Sequence, residues 1–194
     1  MYCRRVYFKR AGFEIKPTET VVDLGANIGL FTTMAAVSGA RVIAVEAQSR
    51  YLQKIRENLV RNGAENQAEL VHALVGAETG ILSNVKERLS ASAWGDEPGQ
   101  PGMVELLERY EITQVDLLKI DIEGSEFSLF RENGFLKKVR RIAMEVHPPH
   151  GDVLHLRARI QSQGFKVEML NSEGQETDVL SGSRGGYLFA TRLA

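Results

Sequence analysis

Apolar positions from residue 20 onward switch repeatedly between two periods. Short β-branched runs at residues 20–24, 41–45, 69–73, 115–120 and 141–146 predict strands. Between them the apolar residues recur at helical spacing, which predicts helices over 28–38 and 50–62, the second stopped by Gly63. Residues 104–110 predict a further helix, and 81–84 a short edge piece. Strands that alternate with helices build a parallel sheet with helices packed on it, an α/β doubly wound architecture. Leu117, Leu118, Ile120 and Ile122 make the fourth run apolar enough for the sheet interior. Lys119 in that run is expected either to reach a partner carboxylate or to lie at the sheet edge.

Two stretches break the rhythm. Tyr2 to Lys16 mixes aromatics with Arg4, Arg5, Lys9 and Arg10, and reads as a strand pair, an ordering arm or a terminal extension. Residues 84–103 gather Ser90, Ser92, Gly95, Pro98, Gly99, Pro101 and Gly102 around the only tryptophan, Trp94. So long an irregular stretch reads as a substrate lid or as a disordered insertion. With no internal repeat and no second core, residues 1–194 are expected to form one domain, with 1–19 as an N-terminal arm.

Composition narrows the function classes. The 24 Lys and Arg nearly balance 25 Asp and Glu, so the net charge of -1 offers no global attraction to nucleic acid or to an anionic membrane. The run Lys137-Lys138-Val139-Arg140-Arg141 is the one basic patch, and such a run is usually a solvated face. Cys3 is the single cysteine, which excludes an internal disulfide framework and fits a reducing compartment. No charged leader with an apolar core and no bilayer-length apolar run is seen, so a cytoplasmic protein without a membrane partner is expected.

The chemistry concentrates where strands end. Val21-Val22-Asp23-Leu24-Gly25-Ala26-Asn27-Ile28-Gly29 runs from strand through a glycine-containing turn into a helix, the context of a nucleotide fingerprint. A dinucleotide fingerprint needs glycine at its first, third and sixth positions, where this chain has Gly25, Asn27 and Leu30. That spacing disfavours NAD. Asp23 would repel a pyrophosphate but favour a ligand with ammonium and sulfonium charges, by ~4 kcal/mol at 4 Å and intermediate dielectric, and S-adenosylmethionine carries both. Glu46 ends the second strand about 20 residues on, where an acid accepts from ribose hydroxyls. Asp121 ends the strand 115–120, followed by Glu123 and Glu126 at helical spacing, where acids also complement a helix dipole. His147 closes the strand from Arg141, and Pro148 and Pro149 forbid its continuation. A neutral imidazole there, oriented by Asp121 or Glu145, is a candidate base toward a substrate hydroxyl; the plainer alternative is a strand-end histidine bonded to backbone.

Together these segments, with Asn58-Leu59-Val60-Arg61-Asn62-Gly63, resemble the FkbM-type methyltransferases of the class I S-adenosylmethionine-dependent fold, over about residues 20–164. The resemblance implies a Rossmann-like, mostly parallel seven-stranded sheet whose last strand, residues 186–191, runs antiparallel beside 165–170. It implies methyl transfer to a hydroxyl oxygen of a sugar or other small metabolite, with S-adenosylhomocysteine as product. Asp23, Gly25, Ala26, Asn27, Gly29, Glu46 and Asp121 would hold the cofactor, and His147, Asp121 and Glu123 would face the transfer site. The family commonly has proline after the acid that ends the second strand, where this chain has Ala47-Gln48.

No metal is expected to be required, although Asp121, Glu123, Glu126, Glu145 and His147 offer ligands to a hard divalent cation. Zinc on His147, His150 and His155 is disfavoured because no thiolates accompany them. The alternatives are a non-catalytic cofactor-binding module, an NAD-dependent oxidoreductase and a nucleic-acid methyltransferase. The expected partner is a small hydroxylated acceptor, and a homo-oligomer is left open because no heptad or exposed apolar stripe stands out.

Overall fold

The computed structural model describes residues 7, 10–77, 95–180 and 185–193. The expected edge piece at 81–84 and most of the irregular stretch, Trp94 included, lie outside them. Among the described residues one seven-stranded sheet is formed by β1 (Thr20–Leu24), β2 (Arg41–Glu46), β3 (Ala68–His72), β4 (Leu117–Ile120), β5 (Arg141–Val146), β6 (Phe165–Asn171) and β7 (Gly186–Arg192). Five helices accompany it: α1 (Leu30–Val37), α2 (Ser49–Arg61), α3 (Met103–Arg109), α4 (Glu126–Leu129) and α5 (Val153–Gln161).

The strand order is β3-β2-β1-β4-β5-β7-β6. The first five strands are parallel, while β7 runs antiparallel between β5 and β6, as the resemblance implied. The order reverses between β1 and β4, and ligands of open α/β sheets bind outside the carboxyl ends at such a switch point. Register brings the candidate chemistry to that edge. Leu24 pairs with Val45 and with Ile120, so Gly25, Glu46 and Asp121 emerge side by side.

Both faces of the sheet are covered, each by its own apolar cluster. One face packs Val22, Leu24, Ile43, Leu118, Ile120 and Met144 under α3 and α5. The other packs Val21, Val42, Leu117 and Phe189 under α1 and α2, together with Tyr7 and Phe13. Two aromatic residues of the N-terminal arm, Tyr7 and Phe13, are therefore core. Phe13 meets Phe189 edge-on at 5.0 Å, and Tyr7 sits between Phe31 and Tyr187 at 5.9 and 6.0 Å.

Several elements are shorter than the sequence pattern predicts. Asn27 (φ 52°) and Gly29 (φ 79°) hold left-handed backbone, which delays α1 to Leu30. Glu123 (φ 52°) and Gly124 (φ 100°) likewise keep the chain out of a helix until Glu126, so the two glutamates do not share one helix face. Leu30, Met34 and Val37 project from α1 with 39, 40 and 58 % exposure, an outer apolar stripe that the sequence pattern did not reveal. No described helix is long and apolar enough to cross a membrane.

Candidate active site

The turn after β1 is built around Gly25. Its φ is 76°, and a Cβ there would lie 1.8 Å from the Asp121 carbonyl oxygen, so only glycine lets the turn press against the end of β4. The amides of Gly25 and Ala26 both donate to the Val45 carbonyl at 3.0 Å, tying the turn to β2 as well. A cleft opens beside it, lined by Gly25, Asn27, Glu46, Gln48, Asp121 and Glu123 with an apolar wall that includes Val45, Leu74 and Val75. Beyond that wall Leu74 donates to Gly99 O (2.8 Å) and Asp96 to Ser49 Oγ (2.9 Å), so residues 95–102 are fastened next to the cleft.

Glu46 is 6 % exposed, and its two carboxylate oxygens accept one amide each, from Asn27 (2.7 Å) and Gln48 (2.8 Å). Burial pushes its carboxyl above the usual carboxylate range, against the pull of those amides. Both oxygens keep further lone pairs for a ligand.

Not all the residues expected to hold a cofactor reach the cleft. Asp23 is fully buried behind it, accepts from Thr32 Oγ1 at 2.6 Å and pairs with Lys119 Nζ at 2.9 Å. The ammonium of Lys119 also donates to Leu24 O (3.2 Å) and Gly25 O (2.8 Å). The charge assigned to a sulfonium ligand is thus answered inside the protein, which corrects the role expected for Asp23. Burial works against the Lys119 ammonium, but Asp23 and Asp121 beside it outweigh that and raise its pKa. Ala26 is buried within the turn and absent from the cleft lining. Gly29 lies against α2, where a Cβ would come within 2.8 Å of Ile55 Cγ2, so it sets helix packing.

Next to Glu123, outside the cleft lining itself, His147 follows β5 directly. Glu126, fully buried, accepts through Oε1 from the His147 backbone amide at 2.7 Å and faces His147 Nδ1 at 3.1 Å. Its Oε2 accepts from the Gly124 amide at 2.8 Å. The other ring nitrogen of His147, Nε2, lies 3.5 Å from Glu123 Oε2. Desolvation lowers the pKa of the imidazole, yet Glu126, Glu123 and Glu145 prevail and raise it to about 9. At neutral pH this ring holds a proton. The neutral imidazole base expected from the sequence is therefore not the resting state, and neither Asp121 nor Glu145 is the residue that holds the ring.

Burial raises the carboxyls of Glu123 and Glu145. Tyr7 Oη donates to Glu145 Oε2 at 3.4 Å, which brings the arm to the rim of the site. Asp121, Glu123 and His147 also place donor atoms within 4.8 Å of one another, a spacing that a divalent cation could bridge. A cation would have to displace the imidazole proton to bind there. The basic run is not beside the cleft, since Lys137 and Lys138 precede β5 and Arg141 opens it at the opposite edge of the sheet.

Glu126 is the site residue whose importance the sequence hid. The sequence offered it as a helix-end charge or a ligand to a hard cation, and nothing in the local pattern pairs it with His147, 21 residues away.

The family described as methyltransferase FkbM domain matches residues 23–167 of this chain. The 31-O-demethyl-FK506 methyltransferase FkbM of Streptomyces tacrolimicus is 25 % identical over 82 % of the chain and 77 % of its own length. Among solved structures, an rRNA methylase from Streptococcus thermophilus superposes with a TM-score of 0.59 at 15 % identity, over 93 % of this chain and 90 % of that one. An O-methyltransferase from Bacillus cereus in complex with SAH gives 0.53 at 16 % identity, over 90 % and 74 %.

Proposed function

The chain belongs to the FkbM methyltransferase domain family, and from that membership and the cleft we propose that it methylates a hydroxyl oxygen of a sugar or other small metabolite, with S-adenosylmethionine as donor. When bound, the cofactor supplies an electrophilic methyl group on a sulfonium. The observation that carries this reading is the cleft at the sheet's switch point, where the Gly25–Asn27 turn stands between buried Glu46 and Asp121, with Glu123 also in the lining. Glu46, anchored by two backbone amides, is preorganised to accept from ribose hydroxyls. The apolar wall of Val45, Leu74 and Val75 suits a flat base.

Toward the acceptor, Glu123 takes the proton lost by the hydroxyl as its oxygen gains the methyl group. A carboxyl raised by burial is a better proton acceptor than one in water, and His147, a cation whose Nε2 faces it at 3.5 Å, orients it. Holding donor and acceptor in line supplies most of the acceleration, ~7 to 11 kcal/mol, and general-base help about 10²- to 10⁴-fold. An rRNA acceptor is not favoured, because the basic run lies at the edge of the sheet away from the cleft.

Calorimetric titration with S-adenosylmethionine tests the donor half, with NADH as control. Saturable binding that Glu46→Ala weakens at least tenfold is expected; heat with NADH alone would sink the proposal. Methyl-labelled cofactor offered with a panel of sugars and polyols then tests the acceptor half. Glu123→Gln is expected to cut transfer by about 10²-fold or more while cofactor affinity stays within a few-fold.

A further inference from the structure

We infer that Glu126 is the positioning residue of this site: it fixes the ring of His147 so that Nε2 is presented to Glu123. The inference takes its catalytic meaning from the methyl-transfer proposal, but its geometry stands apart from it. Glu126 has no exposure to solvent and does not line the cleft, so it cannot touch a substrate from where it sits. A carboxylate withdrawn this far from water needs compensating hydrogen bonds. It finds them in the His147 amide, the His147 ring and the Gly124 amide.

Those three contacts join two otherwise separate pieces of backbone. Gly124 belongs to the turn that carries Glu123, whereas His147 ends β5. One side chain therefore sets both the origin and the tilt of the imidazole relative to the carboxylate it faces. The surrounding segment leaves little freedom for another arrangement. A Cβ on Gly124 would come within 2.6 Å of the His150 ring, and one on Gly151 within 2.3 Å of the Phe127 ring, so the loop after β5 is packed on the turn after β4. With Nδ1 held by Glu126, only Nε2 remains for the site. Glu123 and Asp121 face the ring from the turn after β4, Glu126 from α4 and Glu145 from the histidine's own strand.

The test is nuclear magnetic resonance of the His147 ring in the full chain, compared between the native protein and Glu126→Gln, with thermal melting and S-adenosylhomocysteine calorimetry on the same samples. In the native protein the expected result is a slowly exchanging Nδ1 proton and a midpoint well above that of a free histidine. In Glu126→Gln the proton exchanges freely and the midpoint falls by at least one unit, while S-adenosylhomocysteine binds within about threefold of native. A ring that is unchanged in a folded Glu126→Gln protein overturns the inference, even if melting drops, because packing alone would account for that. If Glu126→Gln fails to fold, the native ring decides: a freely exchanging Nδ1 proton and an ordinary midpoint overturn it. Absence of S-adenosylhomocysteine binding in both proteins would refute the donor proposal and leave the ring result standing.

Discussion

Lys119 shows how much of the site's order is held by groups that never meet a ligand. Its ammonium ties Asp23 to the carbonyls of Leu24 and Gly25, and therefore pins the turn that borders the cleft. Lys119→Met should cost about 3 to 5 kcal/mol in denaturant unfolding, because it leaves the Asp23 carboxylate buried without a counter-charge. His147 makes a second prediction at this scale. With Glu123 required as a carboxylate and His147 as a cation, kcat/KM should rise through a value above the usual carboxylate range and fall near pH 9. A profile that climbs through 6.5 and then stays flat would restore the neutral histidine base. The same ring links to stability. Its folded pKa is raised, so its contribution is complete below about 6.5 and is lost as pH rises through about 9. Urea midpoints should fall across that window in the native protein and less so in His147→Gln.

Elements were more legible than contacts. The strand 20–24 stands as the β-branched run predicted, β2 runs one residue past its predicted 41–45, and β5 spans 141–146. Periodicity reports burial, and these strands are buried on both faces. Helix starts were harder to place, because left-handed Asn27 and Glu123 are local backbone choices that apolar spacing does not encode. That Glu46, Asp121 and His147 stand at one edge was legible because a parallel sheet delivers every carboxyl end there. Asp23 was misjudged for a related reason. It precedes the turn by one pleat, which turns its side chain to the interior and toward Lys119 on the neighbouring strand. At this scale Gly29→Val should part α1 from α2, since the close approach to Ile55 admits no side chain, and should cost stability without touching the cleft lining.

The molecule as a whole is closed by pieces distant in sequence. Phe13 is 3 % exposed against Phe189, and Arg10 bonds Glu168 and Glu176, so the arm is fastened to the antiparallel pair at the other end of the chain. Phe13→Ala is expected to lose about 3 to 5 kcal/mol in unfolding measurements. The placement of β7 between β5 and β6 also bears on synthesis. A ribosome making this chain completes β5 some 40 residues before its neighbour β7 begins, since Val146 at the end of β5 pairs with Gly186 at the start of β7. During that interval Ile142, Ala143, Met144 and Val146 present an open apolar border, the kind of surface that recruits chaperones or other nascent chains.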